Sequence, residues 1–265
     1  MARQRPSSDG GGPGRTNLGP VPDRPRLLVV VPSDTAPPAR LGEWLRAAGL
    51  DLDERHLDAG DDVPADLSGH DGLLVTGGPQ SSLDDDAVSG LGPVRALLAR
   101  ALADGAPALG ICLGAQLMAQ AGGGRVRAGA DGPEVGAGLV ARRDAAGSDP
   151  LFAAVPLSPD VVQWHHDEIS ELPAGATLLA SGVRYAHQAF RAGRAGYALQ
   201  FHVETTPEIV RRWADSDPAG VASTPFDAAT VAERAAAVHP DLEEVWAPFA
   251  ARFADLVRAA RGAAV

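Results

Sequence analysis

Unbroken apolar runs of four to six residues recur along the first half of the chain, each followed by a stretch whose apolar positions fall at helical spacing. Arg26–Val31, Gly72–Thr76 and Pro107–Cys112 read as strands buried on both faces. Leu52–Leu57 alternates and reads as a further strand. Between them, Arg40–Ala48 carries Leu41, Trp44 and Leu45 on one helical face and stops at Gly49. Val94–Ala103 is a second helix, stopped by Gly105, and Leu113–Ala121 a third, closed by Gly122-Gly123-Gly124. Strand and helix in alternation predict a parallel sheet with helices on both faces.

From Glu134 to Glu204 the pattern changes. Val135–Ala141, Val161–His165, Ala176–Ala180, Ala186–Phe190 and Gly196–His202 all have strand character with few helices between them, so part of the sheet is expected to be antiparallel. After Pro207 the chain turns helical, over Glu208–Ala214, Ala228–Val238 and Leu242–Ala260. Val245, Phe249, Phe253 and Val257 form one stripe at four-residue spacing, expected to pack on the core. Residues 1–24 are polar and rich in Gly and Pro and read as a disordered leader. The expected organisation is a leader (1–24), an α/β domain (25–205) and a C-terminal helical extension (206–265).

Composition narrows the function classes. The formal net charge of −11 over 265 residues argues against a broad nucleic-acid or anionic-membrane surface. No apolar run approaches the ~20 residues needed to span a bilayer as a helix. No lysine occurs, which excludes a P-loop lysine and a Schiff-base lysine. One cysteine cannot form an internal disulfide, so a reducing, cytoplasmic setting is expected.

That cysteine is the chief chemical feature. Cys112 follows an apolar strand, is flanked by Gly110 and Gly114, and opens a helix. The arrangement resembles a nucleophile elbow, with the helix macrodipole favouring the thiolate and the Leu113 N–H aimed at a reacting carbonyl oxygen. Gln116, four residues on, shares a helix face with Cys112 and could hydrogen-bond a substrate amide. His202 and Glu204 lie two apart in a strand-like run and so project to one face, where the carboxylate can orient an imidazole that takes the thiol proton. A metal site would need more ligands at usable spacing, and no metal or cofactor is expected. Gly77 and Gly78, after the third strand, let the backbone approach a ligand, and the Gly78 N–H could complete an oxyanion hole. In Trp164-His165-His166-Asp167 the two adjacent histidines point to opposite faces of a strand, so at most one is expected to line a pocket.

Gly110-x-Cys112-x-Gly114-x-Gln116, Gly77-Gly78-Pro79 and Gln200-Phe201-His202-x-Glu204 occur in one order. Together they resemble the class I, triad-type glutamine amidotransferases. Gly132-Pro133-Glu134-Val135-Gly136, Trp164-His165-x-Asp167 and Gln188-Ala189-Phe190 resemble the free-standing, GMP-synthase-like branch, itself similar to plant γ-glutamyl peptidases. The resemblance implies a flavodoxin-like, doubly wound mixed sheet. It implies that Cys112 forms a γ-glutamyl thioester with L-glutamine, that His202 moves the protons, and that Gly78 and Leu113 hold the oxyanion. Ammonia and glutamate leave. Val203 stands where the family usually has Pro. With no synthetase domain after residue 205, the ammonia is expected to pass to a separate synthase, or the protein is a hydrolase of γ-glutamyl conjugates with a wider pocket around His165 and Gln188. A non-catalytic regulatory subunit is the rival from another class.

Overall fold

The computed structural model describes residues 24–84 and 90–263. The expected leader, Arg24 apart, lies outside the described residues. Twelve strands and seven α-helices are present among them. The central sheet has eight strands in the order β2-β1-β3-β4-β12-β11-β10-β7. Its parallel part comprises β1 (Arg26–Val31), β2 (Asp51–His56), β3 (Gly72–Val75), β4 (Ala108–Ile111) and β12 (Gly196–Leu199). Beyond β12 the sheet turns antiparallel through β11 (Ala189–Ala192), β10 (Thr177–Ser181) and β7 (Ala141–Arg142). This is the expected flavodoxin-like mixed sheet.

Alternation along β1 builds the two layers. Leu27, Val29 and Val31 face one side, with α1 (Ala39–Ala47) and the long C-terminal α7 (His239–Ala263). Leu28 and Val30 face the other, with α2 (Leu91–Asp104) and α3 (Leu113–Ala121). The predicted stripe on α7 is buried against the first layer, where Phe249 meets Phe152 and Trp246 at ring-centroid distances of 5.4 Å each. The remaining helices, α4 (Pro207–Ser216), α5 (Pro218–Ala222) and α6 (Ala228–Ala237), cluster against the ribbon of β6 (Glu134–Leu139) and β8 (Asp160–His165).

Several expectations are corrected. The runs at 134–139 and 160–165 pair with each other in a separate ribbon, not in the central sheet. A second ribbon, β5 (Arg125–Ala128) with β9 (Asp167–Glu171), was not anticipated, because Arg-Val-Arg-Ala and Asp-Glu-Ile-Ser-Glu carry too little apolar signal. Ala186–Gln188 lies outside β11, where a register shift interrupts pairing with β10. The last parallel strand ends at Leu199, so His202 and Glu204 are not on it. They lie in the segment beyond, where His202 makes an isolated antiparallel bridge to Val162.

Phe249 is fully buried, whereas Val183 is fully exposed. Phe249→Ala is expected to lower unfolding free energy by about 3–5 kcal/mol. Val183→Ser should stay within about 0.5 kcal/mol of the parent. Urea denaturation of the two variants checks the contrast.

Candidate active site

Cys112 sits between β4 and α3 with φ 50° and ψ −104°, one of two non-glycine residues with positive φ among the described residues. A residue holds such a conformation only where its surroundings impose it. Here they do so through two glycines. A Cβ at Gly114 would lie 2.2 Å from the Val75 carbonyl oxygen, and one at Gly110 would lie 2.5 Å from the Gly114 oxygen. Strand β3, the start of α3 and the end of β4 therefore pack backbone against backbone. The turn between them lifts the Cys112 side chain out of the sheet, yet it remains only 6% exposed.

The segment after β12 brings the other groups to it. The His202 Nδ1 is 2.5 Å from Glu204 Oε1, and the other Glu204 oxygen accepts the Val203 N–H at 2.9 Å. The Glu204 backbone carbonyl in turn accepts the Arg40 N–H at 3.0 Å, tying this segment to the start of α1. With Nδ1 committed to the carboxylate, Nε2 is the ring nitrogen left for the thiol. Burial of the imidazole works against its protonation, but the Glu204 carboxylate and the charge and hydrogen bond of Cys112 outweigh it. The His202 pKa is held well above the ordinary imidazole value. Cys112 Sγ also lies 3.6 Å from the Trp164 carbonyl oxygen.

These groups open onto a cavity of about 510 Å³. Gly78 and Leu113 line it beside Cys112, as do Gln116 and His165. The Gln116 amide nitrogen is 3.4 Å from both the Asp167 carbonyl and Gln200 Oε1. Gly77 is not among the lining residues. It backs the imidazole, where an added Cβ would lie 3.1 Å from His202 Cε1.

The cavity lining departs from expectation at Gly77, just described, and also at Gln188 and His166. Gln188 is fully buried and does not line the cavity. Its amide donates to Glu134 at 2.7 Å and accepts from Gln163 at 3.0 Å. Glu134 also meets His165 Nε2 at 3.1 Å, while His165 Nδ1 meets the Asp167 carbonyl at 2.8 Å, so both nitrogens of the lining histidine are engaged by the protein. His166 also borders the cavity, although alternation along a strand predicted one histidine at most. Strand β8 stops at His165, and alternation stops with it.

Sequence reasoning missed one wall entirely. Trp213, Ser216 and Asp217, from α4 and the turn after it, line the cavity. The Trp213 ring packs on His202 with centroids 4.6 Å apart, and its indole N–H donates to the Thr35 carbonyl at 2.8 Å. The available signal was Thr206-Pro207, a helix start placed two residues after Glu204, which makes the following helix a neighbour of the site. Among the described residues no cluster of His, Cys, Asp and Glu could hold a metal ion, and no helix is long and apolar enough to cross a membrane.

A family model for class-I glutamine amidotransferases matches residues 41–211, about two thirds of the chain. The chain belongs to the class-I glutamine amidotransferase family. Relatives named as glutamine-hydrolysing GMP synthases include that of Thermomicrobium roseum, 37% identical over 133 residues, covering 50% of this chain and 23% of the relative. That of Helicobacter pylori is 34% identical over 140 residues, covering 53% and 24%. The chain thus spans about a quarter of the length of these curated relatives. Among solved structures, a glutamine amidotransferase from Thermotoga maritima superposes with a TM-score of 0.77 at 23% identity, covering 88% of this chain and 99% of its own. One from Methylobacillus flagellatus gives 0.65 at 24% identity, covering 89% and 93%. Both likenesses establish the shared fold.

Glu204→Gln should lower the midpoint of the His202 imidazole titration measured by NMR, because it removes the charge that holds the ring proton. An unchanged midpoint would mean Glu204 does not govern His202. The stability consequence has a definite sign. Since the folded-state pKa lies above the unfolded one, protonated His202 contributes stability that is fully present below the unfolded value. That contribution is lost as pH rises through the folded value.

Proposed function

We propose that this family member hydrolyses the side-chain amide of L-glutamine, with Cys112 as nucleophile, His202 as proton carrier and Glu204 as the group that orients His202. The observation that carries this is the buried Cys112–His202–Glu204 arrangement opening onto a cavity. The Cys112 thiolate attacks the amide carbon, forming the S–C bond as the carbonyl electrons move onto oxygen. The Gly78 and Leu113 N–H groups receive that oxyanion. The C–N bond then breaks, and the nitrogen leaves as ammonia with a proton from His202. Water gives a proton back to His202 and attacks the thioester carbon. The S–C bond breaks, glutamate departs and the thiolate is restored. Val203 in place of a proline leaves the His202–Glu204 bond undisturbed.

The GMP synthase relatives support a second element of the proposal, that the ammonia is accepted by a separate synthase. A cavity of about 510 Å³ also favours testing larger γ-glutamyl compounds, since it falls within the range of sites for drug-sized ligands.

Purified protein incubated with L-glutamine is expected to release ammonia and glutamate in equal amounts. Cys112→Ala should lower the rate by about 10³-fold or more. Turnover of glutathione but not glutamine would move the assignment to a γ-glutamyl peptidase, and turnover surviving in Cys112→Ala would remove Cys112 from the mechanism.

A further inference from the structure

One carboxylate fastens the α4–α5 corner to the end of β8 beside the cavity. Asp217 Oδ2 accepts the Trp164 indole N–H at 3.1 Å and meets His166 Nε2 at 2.8 Å. Its Oδ1 accepts the Gly220 N–H at 2.9 Å, capping α5. A cap needs one oxygen. The second is spent on Trp164, near the end of β8, and on His166, just after it, both of which line the same cavity. His166 is half-exposed while Cys112 is buried, so this bond lies toward the solvent end of the cavity.

What the corner holds in place is Trp213. Its ring packs on His202 at 4.6 Å and against Trp164 at 5.7 Å. Helix α4 is itself anchored at its start by the Thr206 side chain, which caps Ile209 N–H, and Trp213 is pinned from below by Thr35. A leaving amine takes its proton from His202 and must therefore sit beside that ring. The space there is bounded by Trp213, so the volume of the whole cavity does not set the size of group that fits.

The geometry points to Trp213 and its Asp217 latch as the determinants of leaving-group size: the latch holds the indole over His202 and restricts the site to small leaving groups, ammonia before bulky amines. This rests on the roles given above to Cys112 and His202. Trp213 and Asp217 are positioning residues here, shaping the space without touching the reacting atoms. Asp217 lies beyond the stretch matched by the family model.

The test uses the full chain and two readouts. Cys112 is the only cysteine, so intact-mass labelling reports on that thiol alone. Asp217→Asn keeps the Oδ1 cap on α5 but turns an N–H₂ toward the Trp164 N–H, opening the latch. It is expected to raise the rate of labelling by a bulky fluorescent maleimide, relative to iodoacetamide, about tenfold, the effect of losing one charge-assisted hydrogen bond. His166→Ala, which removes only the half-exposed partner, should shift the ratio in the same direction and guards against misfolding of the first variant. In parallel, the kcat/KM ratio for γ-glutamyl-p-nitroanilide against glutamine should rise by a similar factor. An unchanged labelling ratio in both variants would overturn the latch even if glutamine is hydrolysed. A raised ratio with no turnover by wild-type protein of either substrate would uphold the latch and sink the proposed activity instead.

Discussion

The backbone contact between Gly114 and Val75 is the constraint on which the site depends. No side chain fits there, and the same is true of Gly110 against Gly114. With strand β3, strand β4 and helix α3 pressed together at backbone distance, the chain has one way to pass from strand to helix. That path forces Cys112 to positive φ. The strain at one residue is borne by the packing of three elements, and the reward is a thiol fixed at a helix N-terminus above the sheet. Everything else in the site is placed relative to it: Gly78 and Leu113 beside it, His202 across from it, and the cavity above.

The second side of the site is held by electrostatics more than by packing. His202 has no regular strand to support it. Its position comes from the isolated bridge to Val162, the short bond to Glu204 and the ring of Trp213. Glu204 is fixed in turn by the Val203 N–H and by the link from its carbonyl to α1. A buried imidazole would ordinarily be neutral. Here the Glu204 carboxylate and the neighbouring Cys112 hold the His202 pKa well above the ordinary imidazole value, so the charge pattern of the site and its geometry are set by the same few atoms.

Much of this was legible in the sequence. The apolar runs at 26–31, 72–76 and 107–112 read as strands buried on both faces, and the Gly-x-Cys-x-Gly spacing followed by helical periodicity located the turn. His202 and Glu204 were found through their spacing, although the strand that suggested it ends at Leu199. Contacts between remote polar groups were not legible. Gln188 is as polar as Gln116, and nothing local says that one amide faces the cavity while the other serves Glu134 and Gln163. Trp213 was hidden for a related reason: a large apolar side chain on an amphipathic helix looks the same whether it covers a core or packs on a histidine that lines a cavity. The ribbon of β5 and β9 escaped because its half-exposed strands carry charges where a buried strand would carry valine.

The direct passage from Glu204 through Thr205 and Thr206 into α4 places reactivity and shape on separate stretches of chain. The turn around Cys112 admits almost no change, since its neighbours are backbone atoms. The other wall is made of side chains on a helix joined along the chain to Glu204 by only two residues. Descendants of such a protein could therefore acquire new selectivity through substitutions between residues 206 and 222, or through a shift of that helix, while Cys112, His202 and Glu204 stay untouched. A fold divided in this way can diversify in what it accepts without having to reinvent how it reacts.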